Sequence, residues 1–258
     1  MLDTYTSYQL ITRDIDKSID RVEQQPVVKR ETEYYLANIG NIKSIEDFIG
    51  DTRIFKYAMK AFGLEDMDYA KAFMKKVLTE GVSSSDSFAN KLTDKRYLEF
   101  AKTFDFATYG EATTTLSAAK QGTVDKYMRQ TLEQNAGEQN QGVQLALYFE
   151  RKAPDVTSFY GILGDKALAQ VLYTALGLPD SFAQADIDKQ VAYFENKLDI
   201  EDFQDPEKLG DFLKRFTALW EIKNPSTPTQ ASISVLFPQP TESGISTNLL
   251  LTLQKMKL

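Results

Sequence analysis

Two acidic clusters are the first residues whose types and spacing could do chemistry. Glu65, Asp66 and Asp68 form one, and Asp199, Glu201, Asp202, Asp205 and Glu207 form the other. Neighbouring carboxylates can divide acid and base roles at a glycosidic bond, or ligate Ca²⁺ or Mg²⁺ through hard oxygens. Neither cluster carries the D-x-[DN]-x-[DN]-G order of a calcium loop. Both fall at expected helix starts, where a carboxylate interacts favourably with the positive end of the helix dipole. Capping and solvation are therefore their expected roles. A carboxylate- or metal-dependent enzyme would need the two clusters to converge in space.

The rest of the alphabet narrows the chemistry further. The chain has no cysteine and no histidine. Disulfides, thiolate nucleophiles and zinc–cysteine sites are excluded, and so is a Ser-His-Asp triad. The commonest general base and transition-metal ligand is also missing. A phrase that begins Gly-Asp and ends Gly-Leu occurs twice, as GDTRIFKYAMKAFGL (50–64) and GDKALAQVLYTALGL (164–178). Its glycines bracket a run of residues instead of clustering before one, so it matches neither phosphate-loop pattern. The expectation is a non-enzyme, with no catalytic, cofactor-binding or metal-binding residue assigned and no cofactor.

Charge and hydropathy exclude other classes. A net charge of −7 over 258 residues leaves no basic face for a phosphate backbone, so no nucleic-acid partner is expected. Isolated basic pairs, Lys29-Arg30, Lys75-Lys76 and Arg151-Lys152, are read as solvated. No run reaches the roughly 18 apolar residues of a spanning helix, so no transmembrane segment is expected. The opening MLDTYTSYQLITRDID lacks a basic n-region and an apolar h-region. A cytoplasmic protein is expected, or one exported without a cleaved signal by a type III route.

The elements that would position these residues are helical throughout. Tyr8, Leu10, Ile11, Ile15, Ile19 and Val22 recur at helical spacing and predict one first amphipathic helix. Pro26 suits a first helical turn, and Gly40 suits a left-handed stop. In the first phrase Asp51 is the expected cap, Ile54, Phe55, Ala58, Ala61 and Phe62 the buried stripe, and Gly63 the stop. A helix over Tyr69–Leu78 and an Asp94-led helix within 93–106 follow. In the second phrase Leu168, Val171, Leu172, Ala175 and Leu176 repeat the stripe. A helix near 184–197 and another over 205–222, with Leu209, Phe212, Leu213, Phe216 and Leu219 inward, complete the order.

The expected architecture is thus all-α: two pseudo-repeated three-helix units, about 44–106 and 158–222, joined by a long helical connector, 107–157. The connector begins with the small, polar stretch ATYGEATTTLSAAKQGT, read as a loop with a broken helix. It continues as either one long helix or two with a break at NAGEQNQG (135–142), and a mostly helical run is favoured because only Gly137 and Gly142 oppose it. Residues 1–222 would form one body. The Pro/Ser/Thr-rich tail 223–258 would be extended, with ASISVLF as an edge strand or a segment lying on the body. Its apolar end, ISTNLLLTLQKMKL, calls for a partner in cis or in trans, self-association included.

Three segments together resemble a known family: QPVVKRETEYYLANIG (25–40), IEDFIGDTRIFKYAMKAFGLEDMDYAKAFMKKVL (45–78) and GVQLALYFERKAP (142–154). They are similar to an alphaproteobacterial family of unknown function whose members are often encoded near flagellar genes. The resemblance implies a flagellum-associated protein with protein partners, either an exported component or an assembly factor. It carries over no ligand or catalytic residue. The combined expectation is a non-enzymatic structural or protein-interaction protein. The alternative is a helical protein that binds a small molecule between its two repeats.

Overall fold

A computed structural model of the chain describes residues 2–225. The expectations for ASISVLF and for the apolar end of the tail lie outside the described residues. Among the described residues all regular structure is helical, in fifteen α-helices and short 3₁₀ turns. In chain order these are α1 (Thr4–Thr12), α2 (Ile15–Glu23), α3 (Pro26–Asn38), α4 (Ile45–Gly50) and α5 (Thr52–Ala61). There follow α6 (Lys71–Thr79), α7 (Phe88–Lys91), α8 (Lys95–Thr103), α9 (Phe106–Tyr109) and α10 (Gln121–Gln139). The last are α11 (Gln141–Lys152), α12 (Phe159–Leu163), α13 (Lys166–Ala175), α14 (Ile187–Glu195) and α15 (Pro206–Lys223).

Aspartates start many of these helices. Asp51 Oδ1 accepts from the N–H groups of Arg53 and Ile54 at 3.0 Å each, and Asp165 Oδ1 accepts from Ala167 and Leu168 at 2.9 and 3.1 Å. Each cap satisfies first-turn donors that have no partner inside the helix. Both phrase helices also end alike. Gly63 and Gly177 each have φ +68°. The N–H of the following leucine returns to the helix, Leu64 to the Met59 carbonyl at 2.8 Å and Leu178 to the Tyr173 carbonyl at 2.9 Å. This is a Schellman closure, which a glycine adopts without steric penalty.

Two boundaries differ from the sequence reading. The first amphipathic run is two helices, because the chain breaks at Arg13–Asp14 and the Asp14 carboxylate caps α2 at the Lys17 N–H. Gly40 is not a left-handed stop: α3 ends at Asn38 and runs on into a 3₁₀ turn, Ile39–Asn41. The stretch 107–123, read as a loop with a broken helix, holds the end of α9 and a 3₁₀ stretch, Gly110–Thr115, before α10 begins.

The helices build two apolar cores. The first gathers buried residues from Val22 to Leu132 and the second gathers Tyr8 with residues from Val143 to Trp220. The stretch expected as a connector divides between them. It breaks at Asn140, whose backbone is extended and whose side chain caps α11 at the Gly142 N–H. Helices α10 and α11 then pack antiparallel, α10 against α5 in the first core and α11 against α13 and α15 in the second. The chain also crosses between cores at its start, since α1 packs on α11 and α15 while α2 packs on α10. Thr4 ties this start to α15, its N–H and hydroxyl donating to Glu221 at 3.0 and 2.5 Å.

The connector glycines are not helix breakers; both lie inside helices where neighbours come close. A Cβ on Gly142 would stand 2.3 Å from Trp220 Cδ1 and 2.8 Å from Thr4 Cγ2. Gly142→Ala is accordingly expected to destabilise the protein by about 1–3 kcal/mol through overpacking, against the gain alanine normally brings to a helix. Urea unfolding checks the sign; a stabilised variant would show that the Trp220 ring yields freely.

Candidate functional site

The two halves meet along a polar seam. Glu133 on α10, with its side chain 1% exposed, accepts from Arg151 Nε and Nη2 at 2.7 Å each and from Arg129 Nε at 3.1 Å. Beside it, Glu99 on α8 receives Lys126 Nζ at 2.5 Å and Lys152 Nζ at 2.6 Å. Burial would raise the Glu99 carboxyl, but the Lys152 charge and the lysine hydrogen bonds outweigh it and hold it at about 2. Arg151 and Lys152 therefore do not form an exposed pair as their sequence isolation suggested. Adjacent on α11, they point to different carboxylates, one on the first half's α8 and one on α10.

A groove opens along this seam. One cavity of about 450 Å³ and an adjoining one of about 610 Å³ share Thr93, Asp94, Arg96, Tyr148, Gly164 and Asp165. The N-terminus of α8 forms one wall and the α12–α13 junction the other. The floor follows one face of α11, through Gln141, Gln144, Leu145, Tyr148 and Lys152. Positions 141, 144 or 145, 148 and 152 recur every three or four residues and so line up on one side of a helix.

Two pairs in the groove, Asp94 with Arg96 and Tyr148 with Asp165, hold one another. Asp94 caps α8 at the Arg96 N–H, 3.0 Å, and is gripped by the Arg96 guanidinium through Nε at 3.0 Å and Nη2 at 2.7 Å. The remaining Arg96 arm donates to the Gly63 carbonyl at the end of the first phrase. Burial would lower the Arg96 pKa; the Asp94 hydrogen bond and charge raise it. Across the groove the Tyr148 hydroxyl donates to Asp165 Oδ2 at 2.6 Å, and burial together with the Asp165 charge pushes that phenol up. The cap of the second phrase thus lines this groove, and the end of the first is tied to it through Arg96.

The acidic clusters are used otherwise. Asp199 caps a 3₁₀ turn, Asp205 caps α15, and Asp202 pairs with Lys208 at 2.5 Å. Asp68 pairs with Lys56 at 3.4 Å, Glu65 accepts from Gln134 on α10, and Asp66 lines the larger cavity. Asp66 of the first cluster and Asp199 of the second line different cavities. Among the described residues no group of three or more acidic side chains is placed to hold a metal ion. Sequence reading missed Glu99, Arg96, Glu133 and Tyr148. The one local signal was the i,i+4 spacing of Arg129 and Glu133.

The Glu99 pair makes the seam acid-sensitive. A carboxyl held at about 2, against an ordinary 4.5, adds stability above its unfolded value and loses it as pH falls from about 4.5 toward 2. Wild type is therefore expected to lose more stability than Glu99→Gln between pH 6 and pH 3 in parallel urea titrations. Parallel pH profiles would show that Glu99 is uncoupled from its lysines.

Fold and seam define an all-helical protein of two cores whose described residues contain no helix long and apolar enough to cross a membrane. The family described as protein of unknown function (DUF1217) matches residues 61–209, more than half of the chain, and the chain belongs to it. The chain is also similar to a solved X-ray crystal structure, that of protein AGR_C_984 from the alphaproteobacterium Agrobacterium tumefaciens. The two are 58% identical, the match covers 86% of this chain and 94% of that one, and the TM-score is 0.81. No curated protein matches the chain.

Proposed function

We propose that this is a non-catalytic interaction protein, built from two copies of one helical unit, that recognises protein partners and acts in flagellar assembly. The observation that carries the non-catalytic reading is the state of the seam. Its buried acids and bases are paired with one another, Glu133 with two arginines, Glu99 with two lysines and Asp165 with Tyr148. Turnover needs a nucleophile or acid–base group aimed at a substrate, whereas these groups brace the two halves. The matching caps and Schellman ends of α5 and α13 support the duplication. The flagellar assignment is supported by the family resemblance alone, and it covers either an exported component or a cytoplasmic assembly factor.

A deletion strain of a flagellated host and a tagged copy followed through flagellar fractionation test this reading. Impaired motility with co-fractionation is expected; normal motility and no association with flagellar components would overturn it. The second reading, a small molecule between the halves, is favoured by the groove itself, whose cavity of about 450 Å³ lies within the range of small-ligand sites. Thermal-shift screening against metabolite-like compounds separates the two, since only this reading expects a saturable shift.

A further inference from the structure

We propose that the larger cavity of the groove is a site for a short free peptide, two or three residues long, held by both of its charged ends. The proposal rests on the small-molecule reading of the groove and names the class of ligand.

Most of the charged lining of this cavity is engaged. Both Glu133 oxygens accept from Arg151, Asp94 pairs with Arg96, and Asp165 caps α13 while accepting from Tyr148. Two charges are left. Asp66 and Lys166 line the cavity with no ion pair or side-chain hydrogen bond among the described residues. The Thr93 hydroxyl and the amides of Gln141, Gln144 and Gln170 are likewise without a hydrogen-bond partner there.

The two charges stand on different walls. Asp66 lies in the turn Glu65–Met67, which Gln134 ties to α10 and which follows the Gly63 carbonyl held by Arg96. It therefore belongs to the wall of the first half. Lys166 opens α13 on the wall of the second, and Gln170, four residues on, lies on the same side of that helix. Gln141 and Gln144 belong to the floor, on α11.

This set of groups selects a ligand. Covering Asp66 and Lys166 takes both out of water, and a charge buried without a partner is costly. A sugar would strand both, a simple anion would strand Asp66, and a polyamine would strand Lys166. A zwitterion whose ammonium meets Asp66 and whose carboxylate meets Lys166 strands neither. Between these ends the cavity offers side-chain amides, each with N–H donors and a carbonyl acceptor, which complement the acceptor and donor of a peptide group. A volume of about 610 Å³ corresponds to a width of about 8–9 Å, the span of two or three extended residues at about 3.3 Å each. The adjoining cavity also holds an unpaired acid and base, Asp155 and Lys102, but no amide side chain lines it.

Trialanine is the probe, titrated into the full-length chain by calorimetry beside its N-acetyl and C-terminal amide forms. The free peptide is expected to bind saturably. Blocking either end is expected to weaken binding about tenfold, because each block removes a charge-assisted contact. Asp66→Asn is expected to erase the difference between the free and N-acetyl peptides while keeping the cost of the C-terminal amide; Lys166→Gln is expected to do the reverse. Both side chains are exposed, so neither change disturbs a core, and unfolding cannot mimic the selective loss of one preference. Asp155→Asn, in the adjoining cavity, is expected to leave both preferences intact. Absence of saturable binding overturns the proposal, as does equal binding of free and blocked peptides. A preference for the free amine that Asp155→Asn removes and Asp66→Asn does not overturns it too. A compound lacking both charges that gives a saturable thermal shift, where trialanine does not bind, would sink this proposal and leave the small-molecule reading standing.

Discussion

Replacing Glu133 by glutamine is expected to lower the unfolding free energy by about 3–5 kcal/mol, read as a lower urea midpoint at unchanged slope. The substitution conserves volume, so the loss is electrostatic and not a cavity. It leaves Arg151, with its side chain 24% exposed, without its carboxylate, and Arg129, 15% exposed, with only the longer contact to Glu150 at 3.4 Å. Like charges brought together away from water repel each other and each lacks its solvation. A second substitution distinguishes this from general damage. Adding Arg151→Met to Glu133→Gln is expected to recover part of the loss, because it removes an uncompensated charge while keeping an apolar stem in place. No recovery would show that Glu133 acts by packing alone.

Phe48→Ala is the other large effect, again about 3–5 kcal/mol, and it asks a different question. Phe48 is fully buried on α4, with ring centroids of Phe104 at 4.5 Å, Phe55 at 5.8 Å, Phe106 at 5.9 Å and Phe100 at 6.0 Å. Truncation opens a cavity at the centre of the first core and nowhere in the second. Trp220, the chain's only tryptophan, belongs to the second core. Far-ultraviolet circular dichroism follows both cores, whereas tryptophan fluorescence follows the second. In this variant the dichroism midpoint is expected to fall further than the fluorescence midpoint. Coincident transitions would show that the seam couples both halves into one cooperative unit.

How much of this was legible in the sequence depended on how local the cause was. The aspartate caps at Asp51, Asp94 and Asp205 and the glycine stop at Gly63 act within a few residues, so spacing was enough to find them. The break at Arg13–Asp14 was hidden because Ile11 and Ile15 keep helical spacing across it. Only packing shows why: α1 belongs with α11 and α15, and α2 with α10. Gly142 read as a weak point for lack of any sign that Trp220, 78 residues on, would press against it. The seam was hidden for the same reason. Nothing near Lys152 marks it as the partner of Glu99, 53 residues away, and a basic pair read by itself looks like solvated surface. The groove, the joint product of α8, α11 and the α12–α13 junction, has no signature in any one of them.

The bond between Thr4 and Glu221 has a consequence for how the chain is made. The two residues are 217 apart, which at ordinary rates of synthesis is a delay of roughly ten to forty seconds. Through that time α1 has no α15 to lie against, and a nine-residue helix is marginal alone in water. The first core is complete once Leu132 has emerged, so it can assemble on the ribosome while α1 waits. Helix α1, made well before α15, thus settles only after it, and locking α1 in place reports that α15 has arrived.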